Sequence, residues 1–167
     1  DRFCRKLKLT KNDKVLEIGT GWGSFALHAA KNYGCHVTTT TISDNQFSYV
    51  SDLISKENLC SQITLLNRDY RELEGSFDKI VSIEMIEAVG HEHVSGFFNK
   101  VSSLLRPSGL MALQGITYNE PDFETYKNSV DFVKKYIFPG GCLVSVTQIK
   151  DSIKAKTDLT LVEVEDI

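Results

Sequence analysis

An apolar strand that runs straight into three alternating glycines, and then into a helix, constrains this chain more than any other feature. Val15-Leu16-Glu17-Ile18 leads into Gly19-Thr20-Gly21-Trp22-Gly23-Ser24, and helical sequence follows over residues 25–32. Glycine is needed where the backbone takes positive φ or approaches a ligand closely, and the helix N-terminus behind such a loop presents free N–H groups and partial positive charge. The segment reads as a nucleotide-cofactor loop, with an ordinary strand-to-helix turn as the plainer alternative. Glu17, an acid inside the strand two residues before the first glycine, is placed to meet a ribose or an amino group. The spacing G-x-G-x-G lacks the third glycine of the dinucleotide fingerprint, because Phe25 and Ala26 follow. S-adenosylmethionine (SAM) is therefore favoured over NAD.

The 167 residues fit one domain with a real core, and 41% hydrophobic with 25% charged residues is ordinary for a soluble globular protein. A net charge of -3 disfavours a nucleic-acid partner. No apolar run approaches membrane-spanning length and no signal-peptide pattern opens the chain, so a cytoplasmic location is expected. Cys4, Cys35, Cys60 and Cys142 form no C-x-x-C pair, which points to reduced thiols rather than a zinc site or a disulfide framework. Arg2, Arg5, Lys6, Lys8, Lys11 and Lys14 crowd the first fourteen residues against Asp1 and Asp13. With Phe3 and Leu7 one helical turn apart, this basic end is a candidate for an anionic membrane surface, or else a solvated helix face.

Strand signals recur at residues 14–18, 36–41, 62–66, 79–83 and 110–116, and helical stretches at 25–32, 45–57 and 94–105 separate most of them. Alternation of this kind predicts a doubly wound, Rossmann-like α/β fold with a mostly parallel sheet flanked by helices. Ligands of such sheets bind at the carboxyl ends of the strands, which places residues 19–23, 41–46, 69–70 and 84–87 along one rim. Pro107-Ser108-Gly109 reads as a break before the fifth strand. Farther on, 118–121 reads as a loop, 123–135 as a helix, 138–141 as a tight turn, Ser145 as the cap of a helix through 154, and 159–164 as a half-buried strand.

After the second strand a dinucleotide site usually carries an acid for the ribose, but this chain has Thr40 and Thr41. The next polar candidates are Ser43, Asp44, Asn45 and Gln46, and Gln46 offers both a donor and an acceptor to a diol. Asp69 and Tyr70 follow the third strand, where a carboxylate suits an adenine amino group and a ring can stack on the base; a capping Asp and a surface Tyr are the alternative. Past the fourth strand, Glu84 and Glu87 are candidate bases or holders of one. His91 and His93 have no third ligand at suitable spacing, so no metal is assigned.

Residues 15–23, Thr41-Ile42-Ser43-Asp44-Asn45-Gln46, Asp69-Tyr70-Arg71, 77–90 and 135–141 together resemble the cyclopropane-fatty-acyl-phospholipid synthase family, which includes the mycolic acid methyltransferases. The segments 83–90 and 135–141 are the most specific, and the resemblance covers nearly the whole chain. It implies a class I SAM-dependent methyltransferase that moves a methyl group onto the cis double bond of a phospholipid acyl chain at a membrane surface, after which a proton is lost and the ring closes. It also implies a cofactor held by Glu17, Gly19, Thr20, Gly21, Trp22, Gly23, Thr41, Ile42, Ser43, Gln46, Asp69 and Tyr70. A bicarbonate ion serves as base in the family. Glu87 matches the glutamate that helps hold it, Ile116 matches a backbone ligand, and Gln114 stands where many members carry histidine.

Thr20 stands where cysteine is common. The family's cysteine ligand before the first helix and its late tyrosine have no counterpart in this sequence, and Cys4 does not match that cysteine, so the chain is expected to be a fragment of a longer domain. Peripheral attachment at the inner membrane surface and a homodimer are further expectations. A small-molecule N-methyltransferase and a non-catalytic SAM-binding domain stay open as alternatives.

Overall fold

A computed structural model describes residues 1–166, which form two compact units. The first comprises residues 1–83 with 104–113, and the second 84–103 with the residues from Gln114 onward.

The first unit is built on five strands, β1 (Lys14–Ile18), β2 (His36–Thr41), β3 (Ile63–Asn67), β4 (Phe77–Ile83) and β5 (Leu105–Gln114), in the order β3-β2-β1-β4-β5. β1 pairs in parallel with both β2 and β4, and β2 with β3. A central strand of a parallel sheet is covered on both faces, so it needs a continuous apolar run rather than alternation; Val15, Leu16 and Ile18 supply it, each essentially inaccessible. β2 solves the same problem with β-branched threonines, whose hydroxyls must be satisfied once buried. Thr39 donates to Glu17, Thr40 to the carbonyl of Arg68 and Thr41 to Gln46. The doubly wound parallel sheet matches the expected fold.

Helices α1 (Arg2–Lys6), α2 (Ser24–Tyr33) and α3 (Asp44–Lys56) complete this unit. α2 buries Phe25, Ala26, Leu27, Ala29 and Ala30. α3 begins at Ser43, whose hydroxyl accepts the Gln46 N–H, and buries Val50 and Ile54 one turn apart. At α1, Leu7 just beyond the helix is buried and Phe3, partly buried, packs against the same core as Val15, Ala26 and Val37. The apolar residues of the basic end thus contribute to the protein's own interior. β5 also starts five residues earlier than expected. Pro107-Ser108-Gly109 lies inside it, with Ser108 at φ 66 absorbing the bend.

In the second unit α4 (Val94–Leu104) contributes buried Val94, Phe97, Phe98 and Val101, and the two phenylalanine rings meet edge to face at 5.3 Å. The helix expected over 123–135 ends early. α5 (Phe123–Lys127) stops because Asn128 and Ser129 turn their side chains back onto the carbonyls of Glu124 and Tyr126. A separate wide turn follows over Val133–Ile137, and Lys134 ties it back through the carbonyls of Tyr126 and Ser129. The turn at 138–141 forms as expected, with the Gly141 N–H on the Phe138 carbonyl at 2.9 Å. Ser145 caps α6 (Val146–Lys156) by accepting the Gln148 N–H. Residues 159–164 do not form the expected strand: they pair with no strand among the described residues, and Val162 is 85% exposed. No helix among the described residues is long and apolar enough to cross a membrane.

Candidate functional site

In the first unit the loop after β1 takes the shape its glycines allow. Gly19, Gly21 and Gly23 all have left-handed φ, of 96°, 50° and 84°, a region costly for other residues. The N–H groups of Gly19 and Thr20 donate to the Thr40 carbonyl, which ties the loop to the end of β2. At Gly23 a Cβ would come within 2.9 Å of Leu27 and 3.2 Å of Val50, so the missing side chain lets the loop settle on α2 and α3. At Gly21 a Cβ would meet no atom within 4 Å. Glycine there serves the backbone angle and leaves room for a close-lying ligand, and this cradle with the helix N-terminus behind it fits a nucleotide cofactor.

Glu17, read from the sequence as meeting a ribose or an amino group, lies inside β1. It is 3% exposed, and its carboxyl accepts the Thr39 hydroxyl at 2.6 Å. Burial pushes the Glu17 carboxyl up to about 8, against the downward pull of that hydrogen bond. Thr39 and the buried Thr20 lie 2.7 Å apart, oxygen to oxygen. Thr39 was not marked by the motif, although a strand acid buried at this register needs a donor from the neighbouring strand.

At the end of β2 the Thr41 hydroxyl donates to Gln46 Oε1 at 2.8 Å and accepts the Ser43 N–H at 3.1 Å. The Gln46 amide is thereby oriented, with its NH₂ group as the part left to donate. Ile42, 75% exposed, and Trp22, 58% exposed, present apolar surface, and Tyr49 meets Trp22 edge-on at 5.4 Å. Asp69 caps the single turn Tyr70–Glu72 and holds the Arg71 guanidinium with both oxygens, which keeps its carboxyl below the ordinary carboxylate range. The capping role is the alternative weighed above, and the Arg71 ion pair accompanies it. Tyr70 is half-buried, and burial raises its hydroxyl.

The second unit gathers the remaining candidates. Glu84, directly after β4, has φ 51°, and its N–H donates to the Gln114 carbonyl at 2.9 Å. The Gln114 amide returns a bond to the Glu84 carboxylate at 2.7 Å. Two residues on, the Ile116 N–H donates to Glu87 Oε1. Glu87 Oε2 is buried with no partner. Gly115 makes this approach possible, since a Cβ there would lie 2.7 Å from Ile86. The two most specific segments of the sequence meet here: the Cys142 N–H donates to the Glu87 carbonyl at 2.8 Å, and a Cβ on Gly141 would lie 3.1 Å from that oxygen. Ile116 therefore lies against Glu87, and Gln114, two residues before it, holds Glu84. Glu84, a candidate base of the sequence, lies beside them through the Gln114 amide.

A buried carboxylate oxygen without a donor asks for one from a ligand. The hydroxyl of a bicarbonate ion would meet that need, while its oxygens would call for donors of their own.

Comparison with known proteins agrees with this geometry. The chain is 35% identical over its whole length to a probable fatty acid methyltransferase of Pseudomonas putida, and 40% identical over 90% of its length to the cyclopropane-fatty-acyl-phospholipid synthase of Escherichia coli K12. It spans 43% and 37% of those proteins. The crystal structure of mycolic acid cyclopropane synthase CmaA1 complexed with SAH and CTAB matches 91% of the chain, and 56% of that structure, with a TM-score of 0.80 at 29% identity. The family model described as mycolic acid cyclopropane synthetase matches residues 1–167, and the chain belongs to that family of SAM-dependent methyltransferases.

Proposed function

We propose that the chain is the cofactor-bearing part of a C-methyltransferase that adds a methylene to the cis double bond of a phospholipid acyl chain presented by a membrane. The observation that carries the reading is the buried, unpartnered Oε2 of Glu87, held in place by the Ile116 N–H on its other oxygen. SAM, when bound, supplies an electrophilic methyl group. In the first unit, the backbone of the glycine loop lies against the cofactor and the Gln46 amide donates to its ribose. In the second, Glu87 receives the proton lost from the new carbon, directly or through a base such as bicarbonate that it helps to hold. The carboxylate can do either because its remaining lone pairs are shielded from water. Gln114 donates a hydrogen bond in this group but does not change charge, unlike a histidine.

Mass spectrometry of phospholipid acyl chains from cells expressing the intact protein tests the reading. A gain of one CH₂ on unsaturated chains is expected. A gain of CH₂ with two further hydrogens would identify a saturated methyl branch instead, which needs a reductant. Unchanged acyl chains alongside methylation of a small amine would overturn the lipid assignment.

A further inference from the structure

In the second unit a short stretch of chain is built with its polarity reversed. Six large apolar residues, Val130, Phe132, Val133, Tyr136, Ile137 and Phe138, fall within nine positions, and each is at least 50% exposed. Lys134, between them, does the opposite. It is partly buried, and its ammonium lies 3.7 Å from the centre of the Tyr126 ring and donates to the carbonyls of Tyr126 and Ser129. The backbone holds the turn as well. The Lys135 N–H donates to the Asp131 carbonyl at 3.0 Å, the Lys134 N–H to Asp131 Oδ1 at 2.8 Å and the Phe138 N–H to the Val133 carbonyl at 2.8 Å. A fixed turn therefore presents the apolar side chains outward, where a solvated loop would turn them inward and its lysine out.

We propose that residues 130–138 form the surface by which the protein enters the interface of an anionic phospholipid bilayer; this rests on the reading of the substrate as a membrane acyl chain. Phe and Tyr suit the boundary between headgroups and acyl chains, because each ring buries apolar area and Tyr keeps a polar tip in the wet layer. An inserted turn must satisfy its own backbone, and this one bonds the N–H groups of Lys134, Lys135 and Phe138 internally. Lys135 is exposed, with its ammonium 5.1 Å from the centre of the Tyr136 ring, so its stem can lie on the apolar surface while the charge meets anionic headgroups. With Lys134 and Lys135 against Asp131 the stretch is net positive in a chain of net charge -3, which makes the attraction local. Lysine is depleted from the cores of protein–protein interfaces, so a second protein fits this composition less well than a bilayer does. The turn leads into Cys142, whose N–H donates to the Glu87 carbonyl at 2.8 Å. The unit that meets the bilayer is thus the one that carries the proposed proton acceptor.

Flotation of the intact protein with vesicles of mixed phosphatidylglycerol and phosphatidylcholine, or of phosphatidylcholine alone, tests the inference, with methylation of detergent-dispersed phospholipid measured beside it. We expect tighter binding to the phosphatidylglycerol vesicles, weakening as salt is added. Phe132→Ser should lower vesicle affinity about tenfold, the loss of one partly inserted ring, and Val130→Ser about threefold. Both should retain turnover of dispersed lipid, SAM affinity and the native melting temperature. Lys135→Gln should lower affinity for the anionic vesicles about fivefold and leave binding to neutral ones unchanged. Native-strength vesicle binding by the Val130→Ser, Phe132→Ser double variant overturns the inference. So does a fall in its melting temperature or oligomer size with vesicle binding intact, which would assign the face to other segments of the intact protein or to a second copy. Native protein that methylates dispersed phospholipid but binds neither vesicle overturns this surface alone, and native protein that does neither overturns the lipid reading too. If Phe132→Ser does not fold, Val130→Ser and Lys135→Gln decide.

Discussion

Replacing Glu17 with glutamine should remove a pH-dependent loss of stability built into the central strand. The folded carboxyl lies near 8 against an ordinary value of 4.5, because burial disfavours the charged form. The folded state therefore holds this proton more tightly than the unfolded state does. The resulting stabilisation is complete below about pH 4.5, shrinks as pH rises above it, and is lost by the time pH passes 8. At about 1.4 kcal/mol per pKa unit, a shift of this size sets an upper limit of about 5 kcal/mol; local relaxation and water entry reduce this to about 2–3 kcal/mol. The substituted amide would keep an acceptor for the Thr39 hydroxyl and cannot ionise, so the sheet is retained. Urea unfolding at pH 5, 6, 7 and 8 should show the native protein losing about 2–3 kcal/mol more than Glu17→Gln across that range, with unchanged m-values. Parallel pH profiles for the two proteins would refute the claim that Glu17 is buried neutral.

Three further outcomes follow from the same geometry. Gly23→Ala should cost about 1–3 kcal/mol in thermal or urea unfolding, because the new Cβ meets Leu27 at 2.9 Å in a left-handed backbone, whereas Gly21→Ala, with open space around it, should weaken SAM binding more than it destabilises the fold. Gln46→Ala should weaken SAM binding about tenfold in calorimetry, since it removes the amide that Thr41 orients; binding at native strength would place the ribose elsewhere. Glu87→Gln should keep the Ile116 bond and near-native stability while lowering turnover of phospholipid by about 10²–10⁴, and Glu87→Ala should lose about 1–3 kcal/mol of stability as well.

The sequence alone determined the order of strands and helices in the sheet-forming half, because long apolar runs, a β-branched strand and a glycine loop are local signals that the neighbouring chain cannot disguise. Residues 14–18 and 36–41 became strands at the expected bounds, and Ser43 and Ser145 capped the helices they precede. Family motifs likewise marked Glu87, Gln114 and Ile116. What each marked side chain does was decided by tertiary structure. Glu17 looks like an exposed acid in one dimension, but its strand is covered on both faces and one carboxyl oxygen takes the Thr39 hydroxyl. Asp69 caps the turn after β3 and in the fold also pairs with Arg71. Phe3 and Leu7 pack toward the core, and residues 159–164 alternate like a strand yet find no partner among the described residues. Propensity and spacing act between near neighbours, whereas burial, hydrogen-bond partners and the acidity they impose come from residues distant in the chain, such as Glu17 and Thr39, and only the folded protein brings those together.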